Sequence, residues 1–367
     1  MTTSNTAQNV QSARNVTTIT GSADALKLKK QNGVLMELVD ASIAFPEVFD
    51  EGESKVWRRV ARSEYCLDSN ENYQPDEKIL KMALAVIFFR KGNVMPLGLY
   101  GETGTGKTEM LMYIADRLNQ PLMIQKFNPY MTADQIEGDR ELVAENGGVV
   151  TAESLSPLAR AAEEGMWVIC DEIDKMNNDV SASLHLLLEN KPWNLNVFKR
   201  RIVPHGNFKM FATANTMGEG DSTRYTSSGQ MDAAVRGRIG WLMVDFPKAF
   251  HEQNILTKQF PEFGSKLIGE MVKTANRFRD ALLGPERDGN TSTPINCVFS
   301  TRTIVNWATM MQAFGDNALM IDALKYAFWG SVDSDSREVV EDIIFAIWAG
   351  NEKVTVGEIK KLYSPKK

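Results

Sequence analysis

The residues with the clearest chemical pattern form a run of eight in which glycines lead to a terminal Lys-Thr pair: Gly101, Glu102, Thr103, Gly104, Thr105, Gly106, Lys107 and Thr108. An apolar stretch precedes the run and a helical pattern of apolar residues follows it. This is the strand–loop–helix order of a phosphate-binding P-loop, in which backbone N–H groups and a helix N-terminus approach phosphate oxygens. We therefore predict that the loop binds ATP, with Lys107 at the β- and γ-phosphates and the Thr108 hydroxyl on Mg²⁺. We also predict that Glu109, in the first turn of the helix, belongs to the nucleotide-binding residues.

Two adjacent acids, Asp171 and Glu172, end a second apolar run, Met166–Cys170. Such a run is typical of a buried parallel strand, and sites in parallel sheets lie beyond the carboxyl ends of their strands. We predict that Asp171 holds Mg²⁺ together with Thr108, and that Glu172 orients or deprotonates the attacking water. The alternative, a solvated strand end, loses weight because a complete P-loop lies upstream.

Asn215 and Arg302 are candidates for contact with the γ-phosphate. Asn215 follows the apolar run Phe208–Thr213, where an amide can bond to phosphate or water, although an Asn in a turn is often only a turn former. Arg302 follows Ser300 and Thr301, either of which can cap a helix. A solvent-exposed arginine is the alternative for Arg302.

Arg236 and Arg238 come just before the apolar run Trp241–Phe246. In a ring of subunits, one of them can reach the ATP of a neighbour as an arginine finger, which stabilises the charge of the transition state. A basic loop is the alternative, and the pattern alone does not choose between the two residues.

The elements that position these residues alternate between strands and helices, which predicts an α/β fold with a parallel sheet flanked by helices. The predicted strands are Met95–Tyr100, Leu122–Phe127, Met166–Cys170, Phe208–Thr213 and Trp241–Phe246. Helices are predicted between them at about Lys107–Leu118 and Val180–Glu189. All candidate residues except Arg302 then lie at or near strand ends.

Composition shifts divide the chain into four predicted parts. Residues 1–33 are expected to be a mobile polar tail, and residues 34–74 a partly helical segment with a helix at Val34–Ala44. Residues 75–248 form the α/β nucleotide-binding domain, and residues 249–367 a smaller all-helical lid domain. The predicted lid helices are Phe250–Lys258, Ser265–Leu283, Thr303–Ala313, Asn317–Phe328 and Ser336–Trp348.

Overall composition narrows the protein class without identifying a substrate. The formal net charge of −6 gives no global basic field for nucleic acid, although a local patch is not excluded. The three cysteines show neither a CxxC pair nor zinc spacing, which suits a reducing compartment. The longest apolar stretch, Ile79–Phe89, is too short to span a bilayer of about 20 helical residues. We therefore expect a cytoplasmic protein that does not bind membranes.

Together these residues resemble AAA+ ATPases of the MoxR type, and within them the cobaltochelatase small-subunit (CobS-like) branch. The resemblance runs from about Pro75 to Phe328 and is carried by strings beyond the P-loop. These strings are Phe211-Ala212-Thr213-Ala214-Asn215-Thr216, Gly218-Glu219-Gly220-Asp221, Gly229-Gln230-Met231-Asp232 and Ser300-Thr301-Arg302-Thr303-Ile304-Val305-Asn306-Trp307.

The resemblance implies a homo-oligomeric ring, usually hexameric, with ATP at the subunit interfaces. Asn215 matches the sensor-1 position, and Arg302 matches the sensor-2 arginine of the helical lid. A β-hairpin inserted in the second helix is implied at Glu141–Ala152, with its turn at Asn146-Gly147-Gly148. Relatives often work with a partner that carries a von Willebrand A domain.

The sequence departs from the family at the arginine finger. In the family the arginine directly follows Met-Asp, whereas here Met231-Asp232 is followed by three other residues before Arg236 and Arg238. Arg238 matches the family position ahead of the next strand better than Arg236 does. We therefore favour Arg238 as the finger.

Four functions remain compatible with the sequence. The favoured one is a ring-forming ATPase that couples hydrolysis to the remodelling of a partner protein, and the narrower one is the ATPase subunit of a cobalt chelatase. A P-loop phosphotransferase would transfer phosphate to a small acceptor, which Glu172 beside Asp171 disfavours. A nucleic-acid motor is disfavoured only weakly by the net charge of −6.

Overall fold

The structure is a computed structural model and describes residues 17–19, 27–89, 95–145, 148–216, 231–287, 295–348, 350 and 353–363. Most of the predicted polar tail lies outside this part of the chain. So do the strings at 218–221 and 229–230 and the hairpin residues Asn146 and Gly147. Among the described residues, no helix is both long and apolar enough to cross a membrane.

The N-terminal sheet contradicts two predictions. Its four antiparallel strands, β1 to β4, lie side by side in chain order at Thr17–Ile19, Lys27–Gln31, Val34–Asp40 and Lys55–Arg59. Residues 27–33 are therefore a strand and its turn and not part of a tail. Val34–Ala44 is mostly strand, with only a short helix, α1, at Ala41–Ala44. The cause is the pair Asn32 and Gly33, whose φ angles of 46° and 84° are of the sign that a two-residue hairpin turn requires.

The central sheet confirms the predicted α/β class. It has five parallel strands in the order β13-β5-β12-β9-β6. In chain order their bounds are Leu97–Tyr100 (β5), Leu122–Lys126 (β6), Trp167–Asp171 (β9), Lys209–Ala214 (β12) and Gly240–Met243 (β13). The surrounding helices are Glu77–Phe88 (α2), Lys107–Arg117 (α3), Ala133–Glu137 (α4), Pro157–Glu164 (α5), Asn178–Leu188 (α6) and Ala233–Arg236 (α7). Every strand of this sheet was predicted to within a few residues.

The two faces of the central sheet bury separate apolar clusters, because side chains alternate along each strand. In β9, Trp167 and Ile169 pack on the face covered by α2 and α3, whereas Val168 and Cys170 pack on the face covered by α5 and α6. All four side chains are buried. This double burial explains why the strand is an uninterrupted apolar run that ends where the acids begin.

Two antiparallel hairpins are attached to this domain. The first pairs β7, Gly138–Glu145, with β8, Gly148–Leu155, and confirms the predicted insertion between α4 and α5. The second pairs β10, Trp193–Leu195, with β11, Arg200–Ile202. The β7–β8 hairpin exposes apolar side chains near its tip, including Leu142 and Val149.

The chain after β13 is helical, as predicted, and has its own apolar core. Its helices are Ala249–Gln259 (α8), Gly264–Arg287 (α9), Thr301–Phe314 (α10), Met320–Phe328 (α11), Arg337–Trp348 (α12) and Val356–Tyr363 (α13). The core contains the fully buried, edge-on rings of Trp307 and Trp348. Inside it, the carboxylate of Glu252 on α8 and the guanidinium of Arg279 on α9 form a buried ion pair of 2.7 Å. This pair also reaches the segment that leads into α10.

Candidate nucleotide site

The phosphate loop joins the end of β5 to the start of α3 and is tight because of its glycines. Gly101 has a φ of 147°, and a Cβ there would lie 2.1 Å from the backbone O of Val244. Gly104 has a φ of 80°, and its Cβ would lie 2.4 Å from the Cβ of Ser300, the residue that caps α10. The loop therefore follows a path that only glycine permits at these two positions.

Lys107 is the first residue of α3, and its side chain is folded over the loop. Its Nζ donates hydrogen bonds to the backbone O of Gly101 at 2.7 Å and of Glu102 at 2.9 Å, and to the Oδ1 of Asn215 at 3.1 Å. Burial lowers the pKa of Lys107 to about 8, while nearby carboxylates, Asp174 first among them, favour the ammonium form. The loop thus holds a desolvated cation where phosphate oxygens are predicted to bind.

Thr108 and Asp171 lie next to each other, as their predicted shared role requires. The Thr108 hydroxyl donates to the Oδ1 of Asp171 at 2.8 Å. The Thr213 hydroxyl donates to the same oxygen at 2.7 Å and accepts from the backbone N of Glu172 at 3.1 Å. The ends of β9 and β12 are therefore joined through side chains beside the start of α3.

Glu172 leaves the strand in an unusual conformation. Its φ of 55° lies in the left-handed region, which costs a non-glycine residue about 1 kcal/mol or more and is often found at functional sites. Its Oε1 accepts from the Nζ of Lys175 at 2.9 Å, and its Oε2 lies 3.4 Å from the Nζ of Lys126. The side chain is partly exposed, so water can reach the carboxylate.

Asn215 directly follows β12, at the carboxyl edge where the acids also lie. Its side-chain oxygen is the one that accepts from Lys107, and its backbone N donates to Asp174. Asn215, just beyond the end of β12, thus lies in contact with the P-loop lysine, whose loop follows β5. Parallel strands β5, β12 and β9 are neighbours in the sheet, and this order makes the meeting possible.

The other residues of the run have different surroundings. Thr105 is buried and its hydroxyl donates to the backbone O of Glu102 at 2.9 Å, whereas Thr103 is exposed. Gly106, with a φ of 89°, precedes α3 at its N-cap. Glu109 was predicted with the nucleotide-binding residues, but its carboxylate accepts from the backbone N of Asn70 at 2.9 Å. Its side chain therefore contacts the segment before α2, and its part in nucleotide binding stays a prediction.

Arg302 lies in the first turn of α10 and is exposed. Ser300 caps this helix, since its hydroxyl accepts from the backbone N of Thr303 at 3.2 Å. Because Ser300 also abuts Gly104, the helix that carries Arg302 starts at the phosphate loop. The predicted sensor arginine is thus two residues from Ser300, the residue of its helix that lies against the loop.

Arg238 and Arg236 are not gathered with the other candidates. The Nε of Arg238 donates to the Oε1 of Glu189 at 2.7 Å, and its Nη1 donates to the backbone O of Ala234. Glu189 is the C-cap of α6. This helix has eleven residues and is about 16 Å long, and it begins soon after the turn that follows Glu172. Arg236 is half-buried at the end of α7. Arg238 is therefore held at the end of α6 by contacts within its own chain.

The donor set fits Mg-ATP. A hydroxyl and a carboxylate 2.8 Å apart are hard oxygen ligands, which Mg²⁺ prefers. The buried ammonium of Lys107, the glycine-only loop and the N-terminus of α3 together suit a polyphosphate.

The prediction from sequence did not include Thr213 or Asp174. Thr213 is a buried polar residue at the end of an apolar strand, and Asp174 a third acid three residues after Asp171. Both residues lie at the carboxyl edge of the sheet, as Asp171, Glu172 and Asn215 do, and this position could have predicted them.

Two known families match consecutive parts of the chain. The AAA domain of the dynein-related subfamily matches residues 96–238, and the CbbQ/NirQ/NorQ C-terminal family matches residues 252–347. These matches, with the P-loop fold, define the chain as an AAA+ ATPase. Within that class it belongs to the MoxR-type ATPases and is related to CobS.

Individual relatives agree with this placement. The aerobic cobaltochelatase subunit CobS of Sinorhizobium sp is 27% identical over 318 residues, which cover 84% of this chain and 91% of CobS. Protein NorQ of Paracoccus denitrificans is 31% identical over 108 residues, covering 29% of this chain and 38% of NorQ. The von Willebrand factor A domain-containing protein 8 of Mus musculus is 25% identical over 286 residues, covering 73% of this chain but 14% of that protein.

Proposed function

We propose that the protein hydrolyses Mg-ATP at subunit interfaces of a ring and couples this reaction to the remodelling of a partner protein. Two hydrogen-bonded pairs beside the phosphate loop, Lys107 with Asn215 and Thr108 with Asp171, carry the proposal, with Glu172 directly after Asp171. A phosphotransferase needs a site for a second substrate, whereas here the acid beside Asp171 is open to water.

Each residue has a distinct part in the proposed reaction. Lys107 exchanges its bonds to backbone carbonyls for bonds to the β- and γ-phosphates, and Thr108 and Asp171 provide the oxygens that hold the metal ion. Bound Mg²⁺ would neutralise charge on the phosphates. Glu172, held in its left-handed conformation, orients water and accepts its proton, and Asn215 bonds to the γ-phosphate or to that water.

The ring is part of the proposal because Arg238, the favoured finger, is bound at the end of α6 within its own chain. Arg238 is bound to the far end of α6, and it can reach phosphate only on a neighbouring chain if it acts as the finger. Arg302, at the start of the lid helix next to the loop, is proposed to act in its own chain.

The test is ATP hydrolysis across a dilution series, with Glu172→Gln and Arg238→Ala compared with wild type. We expect specific activity to fall on dilution, and both variants to bind ATP but to lose about a hundredfold or more in kcat. Arg201→Ala, a change at an exposed arginine on β11, is the matched control and should keep wild-type turnover. If activity does not depend on concentration and Arg238→Ala is normal, the interface mechanism is wrong even where Glu172→Gln is inactive.

A second candidate function is the ATPase subunit of a cobalt chelatase, in which cobalt is the substrate to be inserted into a corrin-type ring. The similarity to CobS over 91% of that protein favours it. The similarity to a protein that carries a von Willebrand A domain makes such a domain the proposed partner. Mixing the chain with the other chelatase subunits tests this function, and failure to support cobalt insertion in the presence of ATP would remove it while leaving the ATPase intact.

A further inference from the structure

Asp174 is a buried acid that the proposed reaction does not use. It lies in a single 3-10 turn, Ile173–Lys175, directly after Glu172, and only 1% of its surface is exposed. A buried carboxylate is costly unless several donors surround it. Its partners therefore indicate what the charge is for.

The partners of Asp174 belong to the chain that follows β12. Its Oδ2 accepts from the backbone N of Asn215 at 3.1 Å, from the backbone N of Thr216 at 3.3 Å and from the Thr216 hydroxyl at 3.4 Å. These are the first two residues beyond the end of β12 at Ala214. The carboxylate thus replaces the sheet as the acceptor for the segment that carries the Asn215 amide.

The contact is one half of a reciprocal arrangement between β9 and β12. Thr213, near the end of β12, bonds to Asp171, the last residue of β9, and to Glu172, which follows it. Asp174, after β9, bonds to Asn215 and Thr216, after β12. The catalytic acid and the amide are therefore fixed relative to each other by bonds that run in both directions.

We propose that Asp174 is the positioning residue for Asn215, holding its amide at the Nζ of Lys107 so that it can act on the γ-phosphate. This inference rests on the proposed function of Asn215 in ATP hydrolysis. An Asp serves here better than a neutral residue because a carboxylate oxygen accepts charge-assisted hydrogen bonds from the backbone N–H groups of Asn215 and Thr216. In this role Asp174 acts through the segment it holds.

The first test is independent of ATP turnover. Amide hydrogen exchange is measured on the full-length protein without nucleotide, comparing wild type with Asp174→Ala. We expect the amides of Asn215 and Thr216 to exchange about tenfold faster or more, and that of Phe211, inside β12, to stay within about threefold. Equal exchange of the amides of Asn215 and Thr216 in both proteins would overturn the proposal.

The second test is a double-mutant cycle on steady-state ATP hydrolysis with Asp174→Asn and Asn215→Ala. We expect Asp174→Asn to lower kcat about tenfold or more with little change in KM, and to have less than about a twofold effect when Asn215 is already Ala. Asp179→Asn, at an exposed acid on the neighbouring helix α6, is the control and should match wild type.

The outcomes of the two tests separate the proposals. Equal losses from Asp174→Asn in both backgrounds mean that Asp174 acts independently of Asn215, and the positioning role is wrong. If wild type binds nucleotide but does not hydrolyse it, the proposed function fails, and hydrogen exchange alone then decides whether Asp174 holds the segment. A faster exchange of both amides supports the positioning role in that case too.

Discussion

The buried ion pair between Glu252 and Arg279 yields the most demanding stability prediction. Their exposed side-chain fractions are 0% and 4%, and two hydrogen bonds of 2.7 and 2.8 Å join them. Arg279 also donates to the backbone O of Phe299, and the Thr301 hydroxyl donates to Glu252. The pair therefore holds both flanks of Ser300, the residue at which α10 begins next to the phosphate loop.

Replacing Arg279 by Met leaves Glu252 buried with one of its three hydrogen bonds, and leaves the carbonyl of Phe299 without this donor. Loss of one partner from a buried pair costs about 3–5 kcal/mol, because the other charge stays desolvated. Replacing both residues, with Glu252→Leu and Arg279→Met, removes that uncompensated charge. The double variant should then be more stable than the single variant although it lacks more polar contacts.

Amide hydrogen exchange across α9 and α10 measures this local stability. We expect exchange in Arg279→Met to be faster by about a hundredfold or more, which corresponds to a loss of about 3 kcal/mol. Turnover should fall in parallel because the start of α10 is no longer fixed at the loop. The reasoning is refuted if the single variant loses less than about 1 kcal/mol, or if the double variant is less stable than the single one.

Three other predictions test separate features. Burial raises the pKa of Glu137, so the folded protein binds this proton more tightly than the unfolded chain does. The stability that the bound proton contributes is therefore lost as the pH rises above 4.5. A thermal-melt series should show that Glu137→Gln raises Tm at pH 7.5 and that this gain vanishes near pH 4.5. Gly101→Ala places a Cβ against the carbonyl of Val244, and fluorescent ADP binding should weaken about tenfold or more, whereas unchanged affinity would contradict the close approach. Thr213→Val deprives Asp171 and Glu172 of a shared hydroxyl at a cost of about 1–3 kcal/mol in stability, so Tm should fall by a few degrees. The value of kcat should fall about tenfold, and unchanged kinetics would exclude a positioning role for this hydroxyl.

Sequence patterns predicted the central sheet well because local and global signals agree there. The run Trp167–Asp171 is apolar on both faces and ends at an acid, and its length of five residues favours a strand over a helix. The P-loop predicts both a strand before it and a helix after it. The order of the strands, in contrast, is set by pairing between distant segments, so the contact of Asn215 with Lys107 was not available from either local pattern.

The N-terminal sheet was missed because its apolar spacing is ambiguous. The residues of Val34–Asp40 fit a helical period and a strand period alike, and the segment carries an exposed apolar residue, Leu35. The Asn32-Gly33 pair favours a hairpin turn and is the sequence signal that could have predicted this sheet. Likewise, spacing placed Arg238 before a strand but gave no indication of its ion pair with Glu189, which depends on the packing of α6 against α7.

The contact between Gly104 and Ser300 has a mechanical consequence. Gly104 has no side chain, and its backbone lies against the short side chain of Ser300, so no long, flexible side chain is there to absorb a displacement of the loop. Helix α10 has fourteen residues and is about 21 Å long, and its buried face is packed tightly in the helical core. We expect the helix to act as a stiff lever, which carries a shift of a fraction of an ångström at the phosphates to α11 and the helices beyond it.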